Sequence, residues 1–127
     1  DYAISVAAVY LECQSKLLFL QRSKRSAQAL TWAVPAGKCE ENEKPLFAAQ
    51  RELFEETQID APLKSFEKLG RLWISIPKLT YEYHLFYLSF DQKPTVILNH
   101  ENISYSWFTK EIALKENVYY YLLLTVP

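Results

Sequence analysis

Between Arg51 and Glu56 the chain reads RELFEE, which sets three carboxylates, Glu52, Glu55 and Glu56, within five positions and directly beside an arginine. At about 100° per residue the three fall inside an arc of about 100° on a helix surface. Stabilising surface patterns interleave Lys four residues from Glu, whereas Glu52 and Glu56 form a repulsive i,i+4 pair. The acidic residues also crowd toward the C-terminal end of the helix, where the macrodipole disfavours them. A sequence that accepts both costs implies a countercharge, and hard oxygen ligands of this kind suit Mg2+ or Mn2+ rather than a thiol-seeking metal.

The element that carries these groups is the clearest in the chain. Lys44 to Thr57 is predicted as a helix, with Pro45 at the first helical position, where its missing N–H costs nothing. Leu46, Ala49 and Leu53 share one side, which Phe47 and Phe54 widen into a broad apolar stripe. The carboxylates are expected on the side away from it, with Ala48 too small to obstruct them.

Upstream, YAISVAAVYL (2–11) reads as a strand buried on both faces, and KLLFLQR (16–22) follows after a polar turn to make a hairpin. SKRSAQALT (23–31) reads as a loop. TWAVPAGK (31–38) begins as a short strand that breaks at Pro35 and Gly37. Downstream, 65–76 and 80–90 are aromatic, β-rich runs joined by a tight Pro77–Lys78 connection, and 95–98 is a candidate short strand. ISYSWFT (103–109) alternates as a strand. A short helical piece from Lys110 and a helix over 117–124 close the chain. With no repeat, linker or low-complexity segment, residues 1–127 read as one mixed α/β domain.

Bulk properties narrow the partners. Half the residues are apolar and the formal net charge is −1, which argues against a surface for duplex nucleic acid, since that needs clustered Lys and Arg. A small anionic substrate stays open, because a bound cation supplies positive charge locally. Two cysteines, Cys13 and Cys39, are too few for a disulfide framework and point to a reducing, cytoplasmic setting. No stretch approaches the roughly 18 apolar residues of a membrane span. The chain opens at Asp1 without a Met, so a removed targeting peptide stays open. Monomer and homodimer both remain compatible with the sequence.

The spacing Gly37-x5-Glu43-x7-Arg51-Glu52-Leu53-x-Glu55-Glu56-x-Gln58-Ile59 resembles the Nudix box, matching eight of its nine specified positions. The departure is Gln58, where the family has glycine to suit a left-handed conformation after the helix. The resemblance implies a Nudix-type α/β/α sandwich with a mixed sheet. It further implies a Mg2+-dependent hydrolase of a phosphoanhydride bond in a nucleoside diphosphate linked to another group.

The same resemblance makes Glu52, Glu55, Glu56 and the backbone carbonyl of Ala36 the metal ligands. Arg51 becomes the arginine that orients the carboxylates, Glu43 a structural partner, and Gly37 the residue that lets the loop backbone come close to the metal. Outside the box, Arg22 is the candidate phosphate-binding arginine, with Arg25 as competitor, and Glu101 the candidate additional acidic ligand or base. Trp32, Tyr81, Tyr83 and Phe86 are candidates for base stacking, each with a core role as the alternative. Asn117 is either a purine reader or an N-cap. Trp107–Phe108 and His84 read as core, and Cys39 as a poor ligand among carboxylates. Compactness and the WAVPAGK tract favour a MutT-type nucleoside triphosphate pyrophosphohydrolase releasing a monophosphate and pyrophosphate. Dinucleoside polyphosphates or ADP-ribose are the alternative substrates, and a catalytically silent nucleotide-binding module is the alternative class.

Overall fold

The computed structural model describes residues 2–25 and 29–115 of the chain. The β-branched N-terminal run forms β1 (Tyr2–Cys13), and it is apolar on both faces because it lies in the middle of a seven-stranded sheet. One edge of β1 carries β6 (Leu79–Phe90) in parallel, in register from Tyr2↔Leu79 to Cys13↔Phe90. The other edge is divided. β4 (Ala36–Lys38) pairs antiparallel with Val6–Ala8, whereas β2 (Lys16–Arg22) meets β1 only at Glu12 and Cys13. β2 then takes β3 (Trp32–Ala33) and β7 (Asn102–Phe108) as antiparallel neighbours, and β5 (Glu67–Ile76) closes the far edge against β6.

Helices cover both faces, as the sandwich expectation requires. α1 (Pro45–Thr57) buries Ala48, Ala49 and Leu53 against Ala7, Val9, Leu11, Leu18, Leu20, Phe86 and Leu88 on one face of the sheet. α2 (Lys110–Lys115) sets Ala113 against Ala8, Tyr10, Leu17, Phe19 and Leu85 on the other. The alternation of Leu17 to Leu20 between the two cores is the period-two signature of a strand covered on both sides. No helix among the described residues is long and apolar enough to cross a membrane.

Several expectations are corrected. The strand at 31–38 breaks at Pro35 alone. It resumes as β4 with Gly37 inside it, opposite Ala7. The 95–98 segment is not a strand: Val96 and Leu98 pack inward, and Ile97 N–H bonds the Thr57 carbonyl at the end of α1. Residues Leu63–Ser65 form a single 3-10 turn, so β5 starts at Glu67. Phe47 and Phe54 do not widen the buried stripe of α1, being 47 % and 49 % exposed. The expected helix over 117–124 lies outside the described residues.

The angular reason is plain. With Glu52 at zero, Ala48, Glu56, Ala49, Leu53 and Thr57 run from about −40° to about 140°, while Phe54 and Phe47 fall near 200° to 220°. The contact face is centred on small residues, and Glu56 sits in the middle of it.

Candidate active site

The site is built where β4, α1 and two loops meet. Val9 N–H bonds to the Pro35 carbonyl and Cys39 N–H to the Ser5 carbonyl, both at 2.9 Å. In an antiparallel ladder this makes Ala7–Gly37 a bonded pair and leaves the peptide groups of Ala36 and Lys38 pointing away from β1. Lys38 uses its outward carbonyl to accept from Arg51 Nη2 at 3.0 Å. Ala36 directs its N–H to the Glu56 carboxylate, and its own carbonyl faces the same free edge.

Gly37 is required by crowding. A Cβ there would overlap the carboxyl carbon and both oxygens of Glu52. The absence of a side chain thus lets Glu52 lie down on β4.

Arg51 is the hub of α1's acidic end. Its Nε and Nη2 form a two-pronged bond to Glu43 at 2.8 and 2.9 Å, its Nη1 bonds Glu55 at 3.1 Å, and Glu52 Oε2 lies 3.5 Å away. A fork of this kind fixes both partners in one geometry. The arginine holds the Glu43 carboxyl below its ordinary range. Glu43 also accepts from the Glu40 N–H at 2.9 Å, tying the loop before α1 to the same arginine.

What Arg51 leaves over is the centre of the site. Burial pushes the Glu52 carboxyl up to about 7, against the pull of Arg51 and with help from Glu55 and Glu101. Glu56 is 8 % exposed. Burial first, then Glu52, raises it well above the ordinary carboxylate range, with Arg22 opposing and Glu101 reinforcing. The expectation that all three carboxylates form an outward blade is therefore corrected. Glu55 is exposed and turned to Arg51, while Glu52 and Glu56 are packed against the sheet.

This centre also takes the charge of Glu101, on the loop before β7. Asn99 organises it: its Oδ1 accepts from the Glu101 N–H at 3.2 Å and from Asn102 Nδ2 at 3.4 Å, and its Nδ2 donates to Glu101 Oε1 at 3.1 Å. The sequence signal was present in Asn99-His100-Glu101-Asn102, a string of turn-forming polar residues. Across from it, Arg22 ends β2 at a register shift. Its N–H and carbonyl are pinned to Thr31 and Leu30 at 2.9 and 3.1 Å, closing the 23–30 loop at its base. Ser23 N–H bonds the Glu101 carbonyl at 3.0 Å, joining the two loops. Between them lies an open cavity of about 290 Å³ lined by Arg22, Ser23, Arg25, His100 and Glu101.

Other sequence candidates lie apart. Trp32 stacks edge-on against Phe108 at 5.1 Å, and Tyr81 tilts on Tyr83 at 6.1 Å, all on the α2 face or its margin. Phe86 is buried in the core under α1, which removes it as a stacking surface. His84 is buried as expected, with Nε2 3.4 Å from Glu82 and Nδ1 without a hydrogen bond among the described residues. Burial lowers its pKa, so it packs as a neutral ring. Trp107 and Phe108 pack into opposite cores. Cys39 is a half-buried free thiol whose pKa is raised by burial and Glu43. Asn117 lies outside the described residues.

The Nudix domain pattern matches residues 1–122 of the chain. This chain belongs to the Nudix hydrolase family. The Nudix chain is 39 % identical over 72 residues to the 8-oxo-dGDP phosphatase NUDT18 of Mus musculus, a match covering 54 % of this chain and 22 % of that protein. It thus spans about a fifth of the length of that curated relative. Its fold is that of a MutT protein from Methanosarcina mazei Go1, with TM-score 0.82, 24 % identity and coverage of 98 % of this chain and 91 % of the other. The E. coli ORF135 protein is similarly close, with TM-score 0.79, 28 % identity and coverage of 97 % and 87 %. In this Nudix hydrolase Gln58 takes the family glycine's place at φ 60° and ψ 18°, its N–H bonding the Phe54 carbonyl at 2.7 Å. The glycine is replaced and its conformation is kept.

Proposed function

We propose that this chain is a divalent-cation-dependent pyrophosphohydrolase of nucleoside triphosphates, releasing a monophosphate and pyrophosphate. The observation that carries the reading is the packing of two neighbouring carboxylates of α1 against the sheet, Glu56 buried and Glu52 lying over Gly37, with the charge of Glu101 bearing on both. Burial removes the water that would otherwise stabilise the charge of Glu52 and Glu56, and neighbouring carboxylates raise the proton affinity of both further.

A donor set made of carboxylate oxygens and a free-edge backbone carbonyl fits Mg2+ or Mn2+. Among the described residues no three Asp, Glu, His or Cys side chains are already drawn together into a cation site, which accords with Glu55 being engaged by Arg51. Glu52, Glu56, Glu101 and the Ala36 carbonyl would hold the ion, with Glu55 available once released from Arg51. Such an ion supplies charge neutralisation of the phosphates and a nucleophilic water at neutral pH. The chain's own residues do the positioning: Arg51 fixes the end of α1 against the Glu43 loop, Gly37 gives Glu52 its place, and Arg22 offers a guanidinium to a phosphate beside Glu56.

The name of the mouse relative favours a second reading, hydrolysis of a purine nucleoside diphosphate. A panel of common and oxidised di- and triphosphates, ADP-ribose and diadenosine polyphosphates, assayed with Mg2+, separates the two. Turnover should fall by about 10²–10⁴-fold in Glu56→Gln. Turnover of a substrate that survives this change would remove Glu56 from the mechanism.

A further inference from the structure

We propose that Ser23, Arg25 and His100 form, together with Arg22, an anion subsite for the phosphate farthest from the nucleoside, and that this subsite sets the preferred length of the phosphate chain. The inference rests on the nucleotide-hydrolase reading and adds to it a place for a phosphate that the box does not provide.

Two guanidinium groups, Arg22 and Arg25, line one cavity, and neither forms an ion pair within 4 Å among the described residues. Elsewhere in the chain the arginines are used up: Arg51 holds three glutamates and Arg71 holds Glu82 at 2.9 Å. Arg22 is set against the charge of Glu56, and Glu101 lines the same wall, so among the described residues Arg25 is the cation with no carboxylate set against it. An anion in the cavity would take both guanidiniums, whose planar forks match it. Ser23 adds a hydroxyl and His100 a ring N–H donor in either protonation state. Among the described residues no aromatic ring other than the imidazole of His100 lines the cavity, so these walls suit a phosphate and offer no surface on which to stack a base. Its volume of about 290 Å³ equals that of roughly ten waters at about 30 Å³ each, ample for phosphate groups.

Position gives the subsite its meaning. Arg22 and Glu101 belong both to the cavity wall and to the surroundings of Glu56. A phosphate chain whose anhydride lies at Glu56 therefore continues past Arg22 into the cavity. Both walls are built beforehand, one by the Arg22 backbone bonds to Thr31 and Leu30, the other by the Asn99 side chain. A diphosphate cleaved at its only anhydride leaves the far end of this cavity unfilled, whereas a triphosphate fills it.

The test uses inorganic tripolyphosphate, titrated calorimetrically into the whole chain in EDTA. Arg25→Ala and His100→Ala should each weaken binding by about ten-fold or more. Lys16→Ala removes the same unit of charge at the opposite end of β2, about 20 Å from Arg22 at ~3.3 Å per residue, and should leave binding unchanged. Both target side chains are exposed, and matching thermal midpoints would show that the variants fold. Unchanged affinity in the Arg25/His100 double variant overturns the subsite, as does an equal loss in Lys16→Ala. With a hydrolysed nucleotide in hand, Arg25→Ala should lower kcat/KM at least ten-fold more for the triphosphate than for the diphosphate of the same nucleoside, by about the affinity it removes. Equal losses would overturn the chain-length role. If no nucleotide is turned over, the hydrolase reading fails by itself and the tripolyphosphate titration still decides the subsite.

Discussion

A side chain on residue 37 would have nowhere to go except into Glu52. Gly37 is in ordinary strand pairing with Ala7, so only the Glu52 carboxyl lying over it demands glycine. Gly37→Ala should therefore act through the site: Glu52 must leave its place, activity should collapse, and overpacking should cost about 1–3 kcal/mol of stability. Denaturant unfolding alongside the nucleotide assay checks both effects, and an active, equally stable variant would refute the packing. A second residue-scale effect lies away from the site. The Tyr87 hydroxyl donates to Glu12, and this bond, aided by burial, pushes the phenol up to about 12. The unfolded chain releases that proton near its ordinary value of about 10. Between these values the folded state holds more protons, so the contribution is whole below about 10 and is lost as pH rises through about 12. Tyr87→Phe should flatten the fall of stability over that window. The ultraviolet difference titration between the two proteins should show one tyrosine titrating near 12, and a midpoint near 10 would mean the bond to Glu12 is not made in solution.

At the scale of elements, left-handed residues mark where the sequence and the fold disagree. Gln58 ends α1 at φ 60°, and Gln14 and Ser15 turn β1 into β2 at φ 53° and 66°. That pair of signs is the type I′ hairpin, which prefers Asn-Gly. Gln58→Gly should relieve about 1 kcal/mol of strain, a gain of a few degrees in thermal midpoint. A fall in midpoint would show that chain entropy outweighs the strain. The helix itself was legible because the spacing of Arg51, Glu52, Glu55 and Glu56 is chemical and local, and Pro45 fixed its start. Its buried face was not. Phe47 and Phe54 drew the predicted stripe toward themselves by size, while close approach to β4 and β1 is made by Ala48 and Ala49, whose small volume carries little weight in a periodicity count. The parallel pairing of β1 with β6 was equally out of reach, since residues such as Val6 and Tyr83 are joined by register and by nothing in their types. Glu101 was a candidate by resemblance alone, and the Asn99 turn that holds it exists only as hydrogen bonds.

The molecule as a whole carries a net charge of −1, yet its acidic groups are not spread evenly. Glu52 and Glu56 are packed against the sheet with one another and with Glu101 in reach, and the favourable partners are Arg51 for the first and Arg22 for the second. An arrangement of this kind stores instability in the site and recovers it when a cation arrives. The sign of a single substitution should therefore depend on the medium. In EDTA, Glu56→Gln replaces a buried charge by a neutral group of the same shape that can still accept from the Ala36 N–H, and the variant should be more stable than the parent by about 1 kcal/mol or more. With Mg2+ or Mn2+ added to about a hundred times its dissociation constant, the parent should gain about 2.7 kcal/mol and the variant much less, so that their order reverses. Thermal unfolding of both proteins with and without the cation reads this directly. If the variant is the less stable of the two in EDTA, the Glu56 carboxylate is satisfied by the protein alone, and the cation has no deficit to fill. If the cation stabilises both equally, it binds elsewhere.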